Sequence, residues 1–187
     1  MTDPTDAVID RLLPLIAAHG WTRLALAHAA GDAALAESLF PRGPRDAIAA
    51  WSALADRRMS AAAEAEDLAG LKTPARIRRV VEIRLCQSLP HKAALRDALG
   101  ILALPWNAPL AAGITARTVS AMWYAAGDSS ADFSWYTRRA TLAAIYGATL
   151  AFWLRDPSPD MAASMAFLDR RLADHRRLQR AIPRKAA

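Results

Sequence analysis

The sequence predicts an all-α bundle of about nine helices, and three observations predict it. Alanine is abundant while only 8 of 187 residues are glycine, a balance that favours helix over strand. Apolar residues recur at three- and four-residue spacing, and no alternating Val/Ile/Thr run offers material for a sheet. Gly and Pro fall at intervals that suit helix ends. At 53% hydrophobic residues, the chain has enough apolar surface to fold rather than stay disordered. Its length suits one domain with a sizeable core, or one domain with a small appended module.

The elements follow in order. Val8, Ile9, Leu12, Leu15 and Ile16 share a face of a first helix from Pro4 to His19, which Gly20 ends. Short helices follow near Arg23–Ala30 and Asp32–Leu39. The break Pro41-Arg-Gly-Pro44 opens a longer helix through Ala47, Ile48, Trp51 and Leu54. After Gly70, Thr73-Pro74 starts another, with Thr73 as cap and Pro74 at the first helical position. Leu89-Pro90 and Leu104-Pro105 mark two further junctions. Asn107 to Ala126 reads as a helix ending at Gly127, followed by a polar loop through Asp132. A periodic helix carries Leu142, Ile145, Tyr146, Thr149, Leu150 and Trp153 on one face. Asp156-Pro-Ser-Pro159 breaks it, and Ser158-Pro159 is expected to start the last helix, with Met161, Met165, Leu168 and Leu172 as its stripe.

The formal charge of +6 fits nucleic acid, an anionic membrane or an acidic partner without choosing among them. The single Cys86 excludes an internal disulfide and a multi-cysteine metal site. It lies in the apolar-rich stretch Val80–Leu89 and is expected to be buried. Met1 to Asp6 is acidic and polar, unlike a signal or transit peptide. No uninterrupted apolar run is long enough to span a bilayer. The expected location is the cytoplasm, with peripheral contact at the inner membrane of a bacterium.

Residues 1–55 resemble the front of a TetR-type regulator, a helix-turn-helix unit whose third helix normally enters the major groove. A reading helix presents bases and amides to DNA. Here it reads Asp32-Ala-Ala-Leu-Ala-Glu-Ser-Leu39, with two acids, no base and Ser38 as the one candidate reader. The unit is therefore read as a structural remnant binding no nucleic acid, and residues 56–187 as the working domain. A DNA-binding regulator is the alternative.

No catalytic constellation emerges. His19, His28, His91 and His175 lie on separate helices and form no metal-binding pair. No nucleophile elbow, P-loop or dinucleotide fingerprint occurs. Asp128 and Asp132 share one loop, but acids before a helix serve better as caps, and Asp132 is the expected cap of the helix near Phe133. The reading is of a non-enzyme with no cofactor.

The stretch Met122-Trp-Tyr-Ala-Ala-Gly-Asp-Ser-Ser-Ala-Asp-Phe-Ser-Trp-Tyr-Thr-Arg-Arg-Ala-Thr-Leu-Ala-Ala-Ile-Tyr146 is distinctive. It continues in Ser158-Pro-Asp160 and Phe167-Leu-Asp-Arg-Arg171, with Leu104-Pro105 and Asn107 upstream. These segments resemble the Coq-nine family of ubiquinone-biosynthesis accessory proteins, whose members are similar to TetR regulators in fold. The resemblance implies a protein that binds an isoprenoid or quinone lipid between helices. It implies presentation of that lipid to the di-iron demethoxyubiquinone hydroxylase, of the Coq-seven type, at the membrane. Carried onto this chain, the family's partner surface falls on Met122, Trp135 and Tyr136. Where relatives carry acids before Met122, this chain has Ser120 and Ala121. Relatives can also carry a long amphipathic helix after the Phe-Leu-Asp-Arg-Arg segment. Here that role falls to Leu172, Leu178 and Ile182 with Arg176, Arg177, Arg180, Arg184 and Lys185, on an anionic lipid surface. By analogy with TetR, a homodimer is expected.

The residues bear on this independently. Adjacent Trp135 and Tyr136 point about 100° apart on a helix and resist simultaneous burial, which suits an interface. Core packing is the alternative for Trp135. Leu142, Ile145, Tyr146, Leu150 and Trp153, facing Met161 and Met165, are the expected lining of a lipid cavity. An ordinary helix–helix core is the alternative there.

Overall fold

The computed structural model describes residues 3–128 and 134–181. The expected cap at Asp132, Phe133, and the tail residues Ile182, Arg184 and Lys185 lie outside it, as do the side chains of Leu178 and Arg180. The described residues contain helices and no strand.

α1 (Pro4–Leu12) and α2 (Ile16–His19) form one helix interrupted by a 3-10 turn at Leu13–Leu15. The expected continuous helix breaks there because Pro14 has no amide hydrogen to continue the ladder. Asp3 caps α1, and Gly20, at φ 62°, ends α2. α3 (Arg23–Ala30) is capped by the Thr22 hydroxyl, and α4 (Ala33–Leu39) by the Asp32 carboxylate, which accepts from the amides of Ala34 and Leu35. α5 (Pro44–Ala65) opens on proline as expected. α6 (Thr73–Ser88) differs in detail: Thr73 is already helical, and the cap position is Lys72 with no side-chain bond. α7 (Lys92–Leu102), α8 (Ala108–Ala125), α9 (Ser134–Trp153) and α10 (Ala162–Ala181) complete the chain.

The last helix starts later than Ser158-Pro159. The Asp156 carboxylate accepts from the amide and hydroxyl of Ser158 and from the amide and hydroxyl of Ser164. That clamp holds the segment as a turn, with Met161 at φ 55°, and α10 begins only at Ala162. From the other side, Lys92 donates to the Asp156 carbonyl and Arg96 to the Leu154 carbonyl, so α7 satisfies backbone groups that the end of α9 leaves open.

Two apolar cores run into each other. The first packs Ile9, Leu12, Ile16, Phe40, Ile48 and Trp51 against Ala94, Ala98 and Leu102 of α7. The Trp21 indole fastens it by donating to the Ala94 carbonyl at 3.0 Å. The second packs Met59, Val80, Val81, Leu85, Met122, Leu142, Trp153 and Leu168. α5 supplies both, through Trp51 and Leu54 on one side and Met59 and Ala63 on the other. The boundary expected between residues 55 and 56 falls inside this helix. Cys86 corrects the expectation of burial: it is exposed, because α6 turns Leu85 rather than its neighbour into the core.

Candidate functional site: an apolar cavity with a polar floor

A cavity of about 320 Å³ lies between α5, α6, α7, α8 and α9. Ile48, Trp51, Leu95, Leu99, Leu102, Ile114 and Leu150 give it apolar walls. Arg84, Ser52, Thr118 and Tyr146 also line it. Arg84 is buried, and its guanidinium donates through Nε to Asp56 Oδ1 at 3.2 Å and through Nη1 to the Ser88 hydroxyl at 2.9 Å. Thr118 donates to Asp56 Oδ2 at 2.9 Å and meets the Ser52 hydroxyl at 3.3 Å. Three helices thus contribute to one buried polar chain. Burial pushes the Asp56 carboxyl above its ordinary range, against the pull of Arg84 and the Thr118 hydrogen bond. Burial also pushes the Tyr146 hydroxyl up.

A second cavity, also about 320 Å³, lies between α6, α8, α9 and α10, with Ile77, Trp123, Leu142, Ile145, Leu172 and His175 among its walls. The stripe expected to line one cavity is therefore divided. Tyr146 and Leu150 face the first cavity, and Leu142 and Ile145 face the second. Trp153, Met161 and Met165 correct the expectation, since they are packed in the second core and line neither cavity. Trp153 is fully buried beneath Lys92, whose ammonium lies 4.8 Å from its ring.

An aromatic patch forms where α8 and α9 meet. Tyr136 is 72% exposed and Tyr124 61%. Trp135 is half-buried, edge-on to Tyr136 at 4.7 Å, with the Arg139 guanidinium 3.8 Å from its ring centre. Arg139 is itself buried, 5.2 Å from the Tyr124 ring, and donates to the Ser120 hydroxyl at 3.2 Å. A cation wedged between two rings fixes their positions. Met122 departs from the expected surface. It is fully buried, at 0% exposure, because it falls on the inward face of α8 beside Thr118 and Val119. Asp128 meets Arg138 at 3.4 Å.

His19 and His28 come together, their ring centres 6.1 Å apart. Among the described residues no group of three or more His, Cys, Asp or Glu is placed to hold a metal ion. No single helix among them is long and apolar enough to cross a membrane.

Residues 108–179 match the family described as COQ9. The human protein titled ubiquinone biosynthesis protein COQ9, mitochondrial, is 36% identical over 89% of this chain and 56% of its own length. The chain resembles the COQ9 family. The likeness extends to the Drosophila melanogaster COQ9 protein, 29% identical over 92% of this chain and 55% of that relative. The chain spans about half the length of the curated COQ9 proteins it matches. In three dimensions it resembles a crystal structure titled as a TetR transcriptional regulator from Nitrosomonas europaea. That match has a TM-score of 0.74 and 26% identity, covering 92% of this chain and 98% of that one. The fold is TetR-like.

Asp56, Arg84 and Thr118 were not singled out by the sequence reading, nor was Arg139. The available signal was a lone charge on an otherwise inward stripe. Arg84 sits one turn after Val80 and Val81, and Asp56 sits between Leu54 and Met59. Such a charge is buried only when paired.

Proposed function

We propose that this COQ9-like chain is a non-catalytic lipid-binding accessory protein of ubiquinone biosynthesis. It takes an isoprenoid quinone precursor between its helices and presents it to the di-iron demethoxyubiquinone hydroxylase at a membrane surface. The observation that carries the reading is the apolar cavity between α5, α7, α8 and α9 in a chain so similar to COQ9 proteins. An apolar cleft with a few convergent polar groups is the usual form of a small-molecule site. Native mass spectrometry of the purified protein is expected to show co-purifying isoprenoid or quinone. Protein that is apo as isolated and takes up no added isoprenoid sinks the reading.

The hydroxylase docks, in this reading, on the patch of Tyr124, Trp135 and Tyr136, and the basic end of α10 lies against anionic lipid. Exposed aromatics held in place by a cation resemble the anchors that dominate interfaces. Trp135→Lys is expected to weaken hydroxylase binding at least tenfold, about 1.4 kcal/mol or more, in a pull-down or titration. Its helical circular dichroism stays that of the parent. Unchanged affinity removes Trp135 from the interface.

The TetR-like fold favours one second reading, a DNA-binding regulator. The chemistry of α4 opposes it. Its outward residues include Glu37, Leu35 at 41% exposure and the capping Asp32, with no Lys or Arg to meet phosphate. Residues 1–55 are accordingly assigned a structural role and residues 56–187 the lipid-handling one.

A further inference from the structure

We propose that the corner where α7 passes into α8 is a membrane-contact tip, with Trp106 at its apex set into the interfacial layer of a bilayer. This contact is additional to the basic end of α10 and differs from it in chemistry. It does not depend on what the first cavity carries.

No Asp, Glu, Lys, Arg or His occurs between Asp97 and Arg117. That uncharged run turns at the 3-10 segment Pro105–Asn107. Its exposed residues include Ala103, Leu104, Pro105, Trp106, Ala108 and Pro109. Trp106 is 68% exposed and Leu104 38%. Contiguous exposed apolar surface of this kind marks a site of contact.

The backbone of the corner is largely closed on itself. The amides of Ala103 and Leu104 donate to the carbonyls of Leu99 and Ile101, and those of Asn107 and Ala108 to the carbonyls of Leu104 and Pro105. The buried Asn107 side chain donates to the Ile101 carbonyl at 2.8 Å. Pro105 and Pro109 have no amide hydrogen to leave open.

These features together select the occupant. A protein interface carries a polar rim with hydrogen bonds across it. Hydrocarbon instead excludes charge and open backbone groups, and this corner lacks the one and satisfies much of the other. Tryptophan concentrates at membrane interfaces, where its ring is apolar and its N–H stays at the wet side. Residues 73–102 and 105–125 together have the length and apolarity of a membrane segment, but the chain bends by 97° between them. Ala98, Leu102 and Ile114 are held in the first core. The tip alone is therefore free to enter the bilayer. Ala103 also lines the first cavity, so a docked corner brings that cavity's wall close to the lipid.

The test is co-sedimentation of the full chain with vesicles of phosphatidylcholine alone and of phosphatidylcholine with phosphatidylglycerol. The parent, Trp106→Glu and Trp106→Phe are compared, and circular dichroism confirms that each is folded. The parent is expected to bind the neutral vesicles, with a partition coefficient that changes less than about twofold when salt is raised, since screening acts on charges. Trp106→Glu is expected to weaken that binding about tenfold or more, and Trp106→Phe to retain most of it. Phosphatidylcholine brominated in its acyl chains is expected to quench the parent's emission more than that of Trp106→Phe. Equal binding of the parent and Trp106→Glu to neutral vesicles overturns the tip. Binding only to the anionic vesicles, lost at high salt, leaves the α10 contact standing and overturns the tip as well. Self-association of the parent that Trp106→Glu abolishes, seen by sedimentation velocity without any neutral-vesicle binding, assigns the corner to a second copy of the chain instead.

Discussion

Asp56→Ala is expected to lower the stability of the protein by about 3–5 kcal/mol, the range for removing one partner of a buried ion pair. Asp56 is the carboxylate that the buried Arg84 guanidinium pairs with. Without Asp56 it is left in a cavity floor 6% exposed, with only the Ser88 hydroxyl to receive it. Thr118 loses its acceptor at the same time, and Ser52 loses the ordered hydroxyl beside it. Against a total stability of about 5–15 kcal/mol for an ordinary domain, the loss is severe. Urea unfolding followed by circular dichroism measures it directly. The control is the paired replacement Asp56→Leu/Arg84→Met, expected to unfold within about 1–2 kcal/mol of the parent because the charge is removed with its partner. A single variant as stable as the parent would mean that Arg84 finds water or another acceptor.

Asp156→Ala is expected to cost about 3 kcal/mol, the sum of a few hydrogen bonds to a carboxylate. Two serine hydroxyls and two backbone amides converge on this one side chain. Those bonds hold its pKa down to about 2, with the Ser158 hydroxyl the largest influence and the Ser164 hydroxyl next. The unfolded carboxyl titrates near about 3.9. A depressed native pKa stabilises the fold above the unfolded value, and that contribution disappears as pH falls through the native one. The gap between parent and variant is therefore expected to be full at pH 6 and to shrink between about pH 4 and pH 2. Urea midpoints at pH 6, 4 and 2.5 follow it. A gap that stays constant across this range would assign the loss to packing rather than to the ionised carboxylate. The effect is expected to localise to the α9–α10 junction, since Asp156 links Ser158 in the turn to Ser164 in the helix.

Most helix positions were legible because glycine and proline mark them. Gly20, Gly43-Pro44, Pro105 and Gly127 stand where elements end or begin. Three details were not legible, each for a local reason. Pro14 breaks the first helix from within, at a place where the apolar period runs on unchanged. Asp156 gathers amides that Ser158-Pro159 was expected to use in a new helix. Met122 belongs to a recognisable motif, but a motif records neighbours in sequence, and the turn of α8 points it inward. For the cavity, the stripe on α9 was visible as a stripe. Its division between two cavities depends on where α7 and α10 approach, and no local pattern encodes that. The Asp56–Arg84 pair joins residues on two different helices and becomes visible only when α5 and α6 are side by side.

The length of α5 has a consequence for entry into the cavity. Its 22 residues run unbroken from the first core to the second, with no glycine or proline after Pro44 to act as a hinge. The two halves therefore have no clamshell motion available to them, since parting them would bend a helix whose side chains both halves need. In the lipid-binding reading, this geometry favours entry of the proposed guest from the side, between α7 and α9, over a parting of the two cores. Uptake of that guest is then expected to be set by side-chain rearrangement along α7 and α9 rather than by a swing of one core against the other.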